Sequence, residues 1–341
     1  MTKVVGLPRA LIHYKYGVLW KTFFEKVGAK VIESPKTTKE IRELGLQSAP
    51  DEDCYSTKLY FGHALSIADK VDYLFIPRYG SNHPINIGCP KFIGLADVLR
   101  SMFPNLPEIL RPYYSKAKGG HTNFRLLRIA FKLGFRFTKN PFKILNAFIK
   151  AIKAYKQYKK KLIIDQETLK NWEEAKCYLN EKPDIPKGQE ELKIALVGHS
   201  YVINDPYASL DIREKLHKFG VNYITSEQMP RKLIEKQMDK LDFNMYFEYE
   251  REILGTIMHY LENPSIDGII HLIIFSCGPD SIAGELASRY ARRQKSTPLL
   301  QLVLDELTAE AGFQTRIEAF IDMLRRRKKK HAIHLPTLRV S

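Results

Sequence analysis

Ile269-Ile270-His271-Leu272-Ile273-Ile274-Phe275 runs straight into Ser276-Cys277-Gly278-Pro279-Asp280-Ser281. The first stretch is almost wholly apolar and rich in β-branched isoleucine, the pattern of a strand buried on both faces of a parallel sheet. The polar turn after it opens a helix that carries Ile282, Leu286 and Tyr290 at helical spacing. Strand, short turn and helix make half of a β-α-β unit, and the grammar recurs. Lys193-Ile194-Ala195-Leu196-Val197-Gly198-His199 is a second such strand, followed by a helix over 210–219, the strand Val221-Asn222-Tyr223-Ile224-Thr225 and an apolar run over 298–304.

The N-terminal part reads the same way. A strand over 3–7 leads to a helix with Trp20, Phe23, Phe24 and Val27, then to strands over 29–33 and 71–77. Such alternation predicts an α/β chain of two doubly wound, Rossmann- or flavodoxin-like parallel-sheet domains, at 1–115 and 191–324. A basic helical insert at 116–190 separates them, and a flexible basic tail is expected over 325–341. In the insert, Phe142, Leu145, Phe148 or Ile149, Ile152 and Tyr155 recur at helical spacing among lysines. This pattern fits a helix packed on a domain and also one lying on a membrane.

At 341 residues, 44% hydrophobic and 27% charged, the chain has the composition of a globular protein with sizeable cores. The net charge of +16 is unevenly placed. Residues 116–161 hold 14 Lys/Arg and no Asp/Glu, and residues 325–330 are six consecutive bases; subtracting these twenty leaves −4 for the rest. Charge runs are commonly solvated surface. Read functionally, they fit an acidic partner better than nucleic acid, whose dedicated readers spread bases over a folded face. No signal-peptide pattern opens the chain and no apolar run approaches the roughly 20 residues that span a bilayer, so a cytoplasmic, reducing location is expected.

Three of the four cysteines stand where a helix opens: Asp51-Glu52-Asp53-Cys54, Gly88-Cys89-Pro90-Lys91 and Ser276-Cys277-Gly278-Pro279. Unpaired amides and the positive end of the helix dipole are expected to lower a thiol's pKa there, and the thiolate is the metal-binding form. Cys177, inside a helical pattern, reads as a passive thiol. The spacing excludes Cys-x-x-Cys zinc ribbons, zinc knuckles and ferredoxin runs, so the fold must bring distant ligands together.

Gly6-Leu7-Pro8-Arg9-Ala10-Leu11, Asp51-Glu52-Asp53-Cys54 with Tyr60-Phe61-Gly62-His63, Cys89-Pro90-Lys91-Phe92, Gly198-His199-Ser200-Tyr201 with Asn204-Asp205-Pro206-Tyr207, and Ser276-Cys277-Gly278-Pro279-Asp280-Ser281 occur in one chain. Together with Asp305-Glu306 and Thr315-Arg316-Ile317-Glu318, these motifs resemble those of the acyl-CoA dehydratase activase-related proteins, relatives of 2-hydroxyacyl-CoA dehydratase subunits. The resemblance spans residues 4–324. It implies a [4Fe–4S] cluster on Cys54, Cys89 and Cys277, with its fourth iron open. It further implies a low-potential electron from an ATP-hydrolysing activator, used in the relatives to form a ketyl radical from an acyl-CoA in anaerobic metabolism. No Gly-x-x-x-x-Gly-Lys-Ser/Thr loop is present, and Met1 stands just before the first strand, so the activator is expected to act in trans. Relatives carry His and Gly where this chain has Leu307 and Ala309.

Zinc is the alternative metal, as a Cys3His site drawing on His63, His83 or His199. Ser276, Asp280, Ser281 and His199 are candidates for tuning the centre; capping is the ordinary role of Asp and Ser in a first turn. Tyr201 and Asn204 share the strand end with His199. Asp305, Glu306, Glu310, Arg316 and Glu318 form either a catalytic carboxylate group or ion pairs on a helix. Two functions are carried forward. One is a lyase or reductase component working with an activator on an acyl-CoA, alone or as a homo- or heterodimer. The other is a non-catalytic, metal-stabilised scaffold whose basic surfaces bind an acidic partner.

Overall fold

Both large sheets are parallel throughout in the computed structural model, which describes residues 2–116, 122–162, 191–263, 265–294 and 297–333. The first unit comprises β1 (Val4–Leu7), α1 (His13–Val27), β2 (Lys30–Glu33), α2 (Lys39–Ser48), α3 (Tyr55–Ala68), β3 (Tyr73–Phe75), β4 (Arg78–Ser81), α4 (Pro90–Met102), β5 (Glu108–Leu110) and β6 (Tyr113–Ser115). Two insert helices follow, α5 (Thr122–Gly134) and α6 (Pro141–Leu162). The second unit begins with β7 (Leu192–Val197), α7 (Ser200–Ile203), α8 (Ile212–Lys218), β8 (Val221–Thr225), α9 (Arg231–Met238) and α10 (Glu248–Glu262). It closes with β9 (Gly268–Ile274), α11 (Gly278–Gln294), β10 (Leu299–Leu304) and α12 (Glu310–Ile333). The expectation of two Rossmann-like parallel-sheet units holds.

Strand order is β2-β1-β3-β5 in one sheet and β10-β9-β7-β8 in the other, with β4 and β6 forming a separate parallel pair. In each large sheet the chain starts at an inner strand and winds outward both ways. The gap between β7 and β9 is therefore a topological switch point, and ligands of such sheets bind beyond the carboxyl ends there. His199 leaves β7 and Cys277 leaves β9 at this point.

One apolar core crosses between the units. Tyr55, Leu59, Tyr60, Phe92 and Leu95 of the first pack in the same cluster as Tyr201, Val202, Tyr249, Ile270 and Leu272 of the second. Polar contacts reinforce it, including Lys58 to Glu306 at 2.9 Å and Lys15 to Glu252 at 2.8 Å.

The insert departs from its predicted stripe. α6 lies along α1 through Ile144, Ala147 and Ala151, all buried, whereas Phe142 is 80% exposed and Ile149 56%. The basic run at 325–330 is also not a tail at that point. α12 continues through it to Ile333, because Phe313, Ile317, Phe320, Ile321 and Leu324 anchor the helix in the core. Arg325 then donates to the Phe219 carbonyl at 2.6 Å, and Lys328 to that of Glu191 at 2.7 Å. Cys177 lies outside the described residues. Among those residues, no helix is long and apolar enough to cross a membrane.

Candidate metal centre

Each of the three helix-opening cysteines stands where the sequence grammar puts it. Cys54 precedes α3, and its carbonyl accepts from the amides of Thr57 and Lys58 at 2.8 and 3.1 Å. Cys89 precedes α4, whose first residue is Pro90, the ring that a first helical turn accommodates. Cys277 precedes α11, where Ser281 binds the Cys277 carbonyl through both amide and hydroxyl, at 3.0 and 2.8 Å.

The loops that present them are tied together. Buried Asp53 is bonded by Lys91, joining the residue before Cys54 to the first turn of α4. Ser276, at φ 65°, reaches the Glu52 carbonyl at 3.4 Å and so links the Cys277 turn to the Cys54 loop. Phe92 of α4 meets Tyr201 and Tyr249 edge-on at 6.0 and 5.9 Å. α3 is held on α2 by two glycines: a Cβ at Gly45 would lie 2.1 Å from the Lys58 carbonyl oxygen, and one at Gly62 1.9 Å from that of Ile41.

All three cysteines pack against the core that joins the units. Burial pushes the Cys89 thiol up to about 11, and the neighbouring Cys54 and Cys277 add to the shift. Cys54 is raised as well, first by burial, against the Thr57 hydroxyl 3.2 Å from its sulfur. At Cys54 and Cys89 the expected thiolate-favouring effect of a helix N-terminus is thus outweighed: both pack against the apolar core, and desolvation disfavours the anion. Tyr201, which is buried, is pushed well up by burial and then by Cys277, Cys54 and Cys89.

His199 and Glu250 complete the cluster. Both are buried, and one atom from each of His199, Glu250 and Cys277 lies within 4.8 Å of the other two. The His199 ring stacks on Tyr201 at 4.8 Å and meets Tyr249 edge-on at 5.4 Å. Glu250, one residue along from Tyr249, is raised above the ordinary carboxylate range by burial, partly offset by His199. The sequence reading missed Glu250. Its signal was the acidic run Glu248, Glu250 and Glu252, which resembles a solvated first turn.

Asp280 does more than cap α11. Fully buried, it accepts the Ile274 amide at 2.9 Å and lies 3.5 Å from His199 and 3.4 Å from His271. Burial opposes its charge, yet the two imidazoles hold it below its usual range. Burial likewise opposes protonation of His199, but Asp280 overcomes it and raises the imidazole well above its ordinary value.

Of the other histidines, His63 has both ring nitrogens occupied, by Ser34 at 2.8 Å and Thr37 at 2.9 Å, and burial lowers it to about 3. His83 sits among Arg231, Glu235, Arg251 and Glu248, away from the thiols. The carboxylates after β10 are ion pairs and turns: Glu306 with Lys58, Glu310 with Lys215 at 2.6 Å, and Asp305 with Thr308 at 2.7 Å. Arg316 donates to the Gln301 carbonyl and Glu318 accepts from Gln314, both at 2.8 Å. Asn204 bonds Glu227 at 2.6 Å.

Two doubly wound parallel-sheet units, sharing one core against which three cysteines pack, with a histidine and carboxylates beside Cys277, define a two-domain α/β protein. The chain belongs to the 2-hydroxyglutaryl-CoA dehydratase and CoA enzyme activase-related family. Residues 144–324 match the family model for the 2-hydroxyglutaryl-CoA dehydratase D-component, and residues 4–229 that for the CoA enzyme activase uncharacterised domain; each covers more than half of the chain. A comparison with curated proteins finds no match.

Proposed function

We propose that Cys54, Cys89 and Cys277 hold an iron–sulfur cluster of the [4Fe–4S] type. The observation that supports this reading is that three cysteines free of disulfides, each at the start of a helix, pack against the one core that joins the units. Metal binding removes the thiol protons whose loss burial opposes at Cys54 and Cys89, and the helix N-termini then face an anionic centre. Ser276 and Ser281 lie beside the third ligand, and Asp280 fixes His199 next to it, positions from which hydrogen bonds tune a cluster.

A cluster bound there supplies a low-potential electron. On this reading an ATP-hydrolysing activator delivers that electron in trans, and the substrate is an acyl-CoA that is reduced or dehydrated. His199, beside Cys277 and hydrogen-bond-ready towards Asp280, is the proton donor of the site. The reaction component is cytoplasmic and works with a second subunit, of the same or another kind.

A second reading rests on the grouping of His199, Glu250 and Cys277. Mixed nitrogen, oxygen and sulfur donors suit a single zinc ion, which would make the protein a metal-stabilised scaffold for an acidic partner. Anaerobic purification followed by iron, acid-labile sulfide and zinc analysis separates the two. Brown protein with iron and sulfide is expected; stoichiometric zinc without sulfide rejects the cluster.

A further inference from the structure

A cavity of 390 Å³ lies between α1, the β3–β4 segment and the two insert helices, with Trp20, Phe23, Phe75, Ile129, Phe148 and Ile152 in its wall. This is the size and character of a small-molecule site: mostly apolar, with few polar groups. The polar groups are four cations, Arg78, Lys116, Lys156 and Lys159, beside tyrosines and Asn82. A second cavity, of 110 Å³, shares Tyr16, Asn82, Tyr155 and Lys159 with the first. Its wall is polar and mixed in charge: besides Asn86 it holds Glu227, Glu235, Glu248 and Glu252, and of its other cations Lys15, Arg231 and Arg251 are ion-paired.

The polar chamber has unmet hydrogen-bonding capacity. Asn86 Oδ1 and Glu227 Oε2 are buried acceptors without partners. Buried polar groups of a native chain are ordinarily bonded, and two in one chamber point to a ligand with hydroxyl or amine hydrogens. Lys159 makes no ion pair among the described residues, and burial, followed by Lys15, disfavours its charge. An anionic oxygen would satisfy it. On the outer side of the same helix, exposed Phe142 and Ile149 stand among Lys150 and Lys153, a face suited to the surface of an anionic bilayer.

We propose that the paired cavities bind an amphiphile, its acyl chain in the chamber beside Trp20, its anionic group at Lys159 and its hydroxyl hydrogens at Asn86 and Glu227. The inference stands whatever the cysteine centre holds. Two sources share the chain and the anion, a free fatty acid and a lysophospholipid; only the latter carries the glycerol hydroxyl that Asn86 and Glu227 lack as a donor, and it is expected to bind more tightly.

Trp20 is one of two tryptophans, so the full-length Trp172→Phe protein reports on the chamber alone. It would be titrated, below the micelle concentration, with a chain-brominated fatty acid and with chain-brominated lysophosphatidylglycerol. Saturable quenching of Trp20 by either lipid supports the site, and the tighter ligand identifies the source. Lys159→Glu in this background should weaken binding about tenfold, the order of one charge-assisted contact, and Lys159→Arg should restore it. Absence of quenching, or quenching linear in lipid and indifferent to Lys159, overturns the proposal. The wild-type side chain at 159 already decides between saturable and linear behaviour, so a poorly folded Lys159→Glu variant does not obscure the result.

Discussion

Asp280 Oδ2 lies 3.5 Å from His199 Nε2, although the two residues follow different strands of the second sheet. The contact exists because β7 and β9 are neighbours, so the turns at their carboxyl ends face each other. Asp280 also reaches His271 within β9, and none of the three side chains is more than 2% exposed. A buried carboxylate between two imidazoles leaves an uncompensated charge when one partner is removed. Asp280→Asn is therefore expected to cost about 3–5 kcal/mol of stability, read by urea denaturation of the anaerobic protein. An unchanged midpoint would mean that both histidines are neutral in the folded chain and that Asp280 serves only as a cap.

The α2–α3 contact gives a second expectation. At Gly45 and Gly62 the atom that a methyl would strike is a backbone carbonyl oxygen, which cannot swing aside as a flexible side chain does. Gly62→Ala forces the two helices apart and moves the start of α3, where Cys54 sits. A loss of about 1–3 kcal/mol is expected, with lower metal content in the surviving protein. Gly94→Ala, in α4 where an added Cβ meets nothing, is the matched control: it should keep the metal and gain up to about 1 kcal/mol of helix propensity.

Much of this junction was legible in the sequence, and the boundary of what was legible has physical causes. Cys54, Cys89 and Cys277 could be placed at helix starts because capping and proline chemistry are local. The β7 and β9 strands could be read because burial on both faces leaves continuous apolar runs. Glu250 was invisible because an acidic first turn usually faces water; here its neighbour Tyr249 is drawn into the aromatic contact with Phe92 and Tyr201, and Glu250 is buried beside it. Thiol acidity failed for a related reason. The helix dipole can be read from sequence, whereas desolvation depends on how deeply two domains close over a residue, a long-range property. The helical course of residues 325–330 was hidden by their charge, since the apolar residues that hold α12 precede them.

Glu227 gives a pH dependence of defined sign. Burial raises it from 4.5 to about 7, partly offset by the Asn204 amide. The folded chain keeps this proton where the unfolded chain has lost it. Its contribution to stability is thus full below about pH 4.5 and disappears as pH rises through 7. Glu227→Gln retains an acceptor for Asn204 but cannot ionise. The variant should gain on the wild type by ~3 kcal/mol between pH 4 and pH 8, the linkage equivalent of that rise. Urea midpoints at the two pH values test it. Parallel behaviour of the two proteins would show that Glu227 is already ionised at neutral pH.

The two readings of the thiol centre predict opposite patterns in one series of variants. A cluster needs all three cysteines, because loss of one thiolate leaves two anchors for a cubane that the protein holds by three. Cys54→Ser, Cys89→Ser and Cys277→Ser should then each lose most of the iron and sulfide, whereas Cys177→Ser and Glu250→Gln should keep them. A mononuclear ion on His199, Glu250 and Cys277 has different dependencies. Its metal should be lost in Glu250→Gln and Cys277→Ser and kept in Cys54→Ser and Cys89→Ser. Cys277→Ser fails under both readings, so Cys54→Ser and Glu250→Gln decide between them. Metal analysis of anaerobically prepared proteins, with circular dichroism to confirm that each variant is folded, is the measurement. Iron retained in folded Cys54→Ser would remove Cys54 from the ligand set and leave the histidine–carboxylate–thiol group as the centre of this junction.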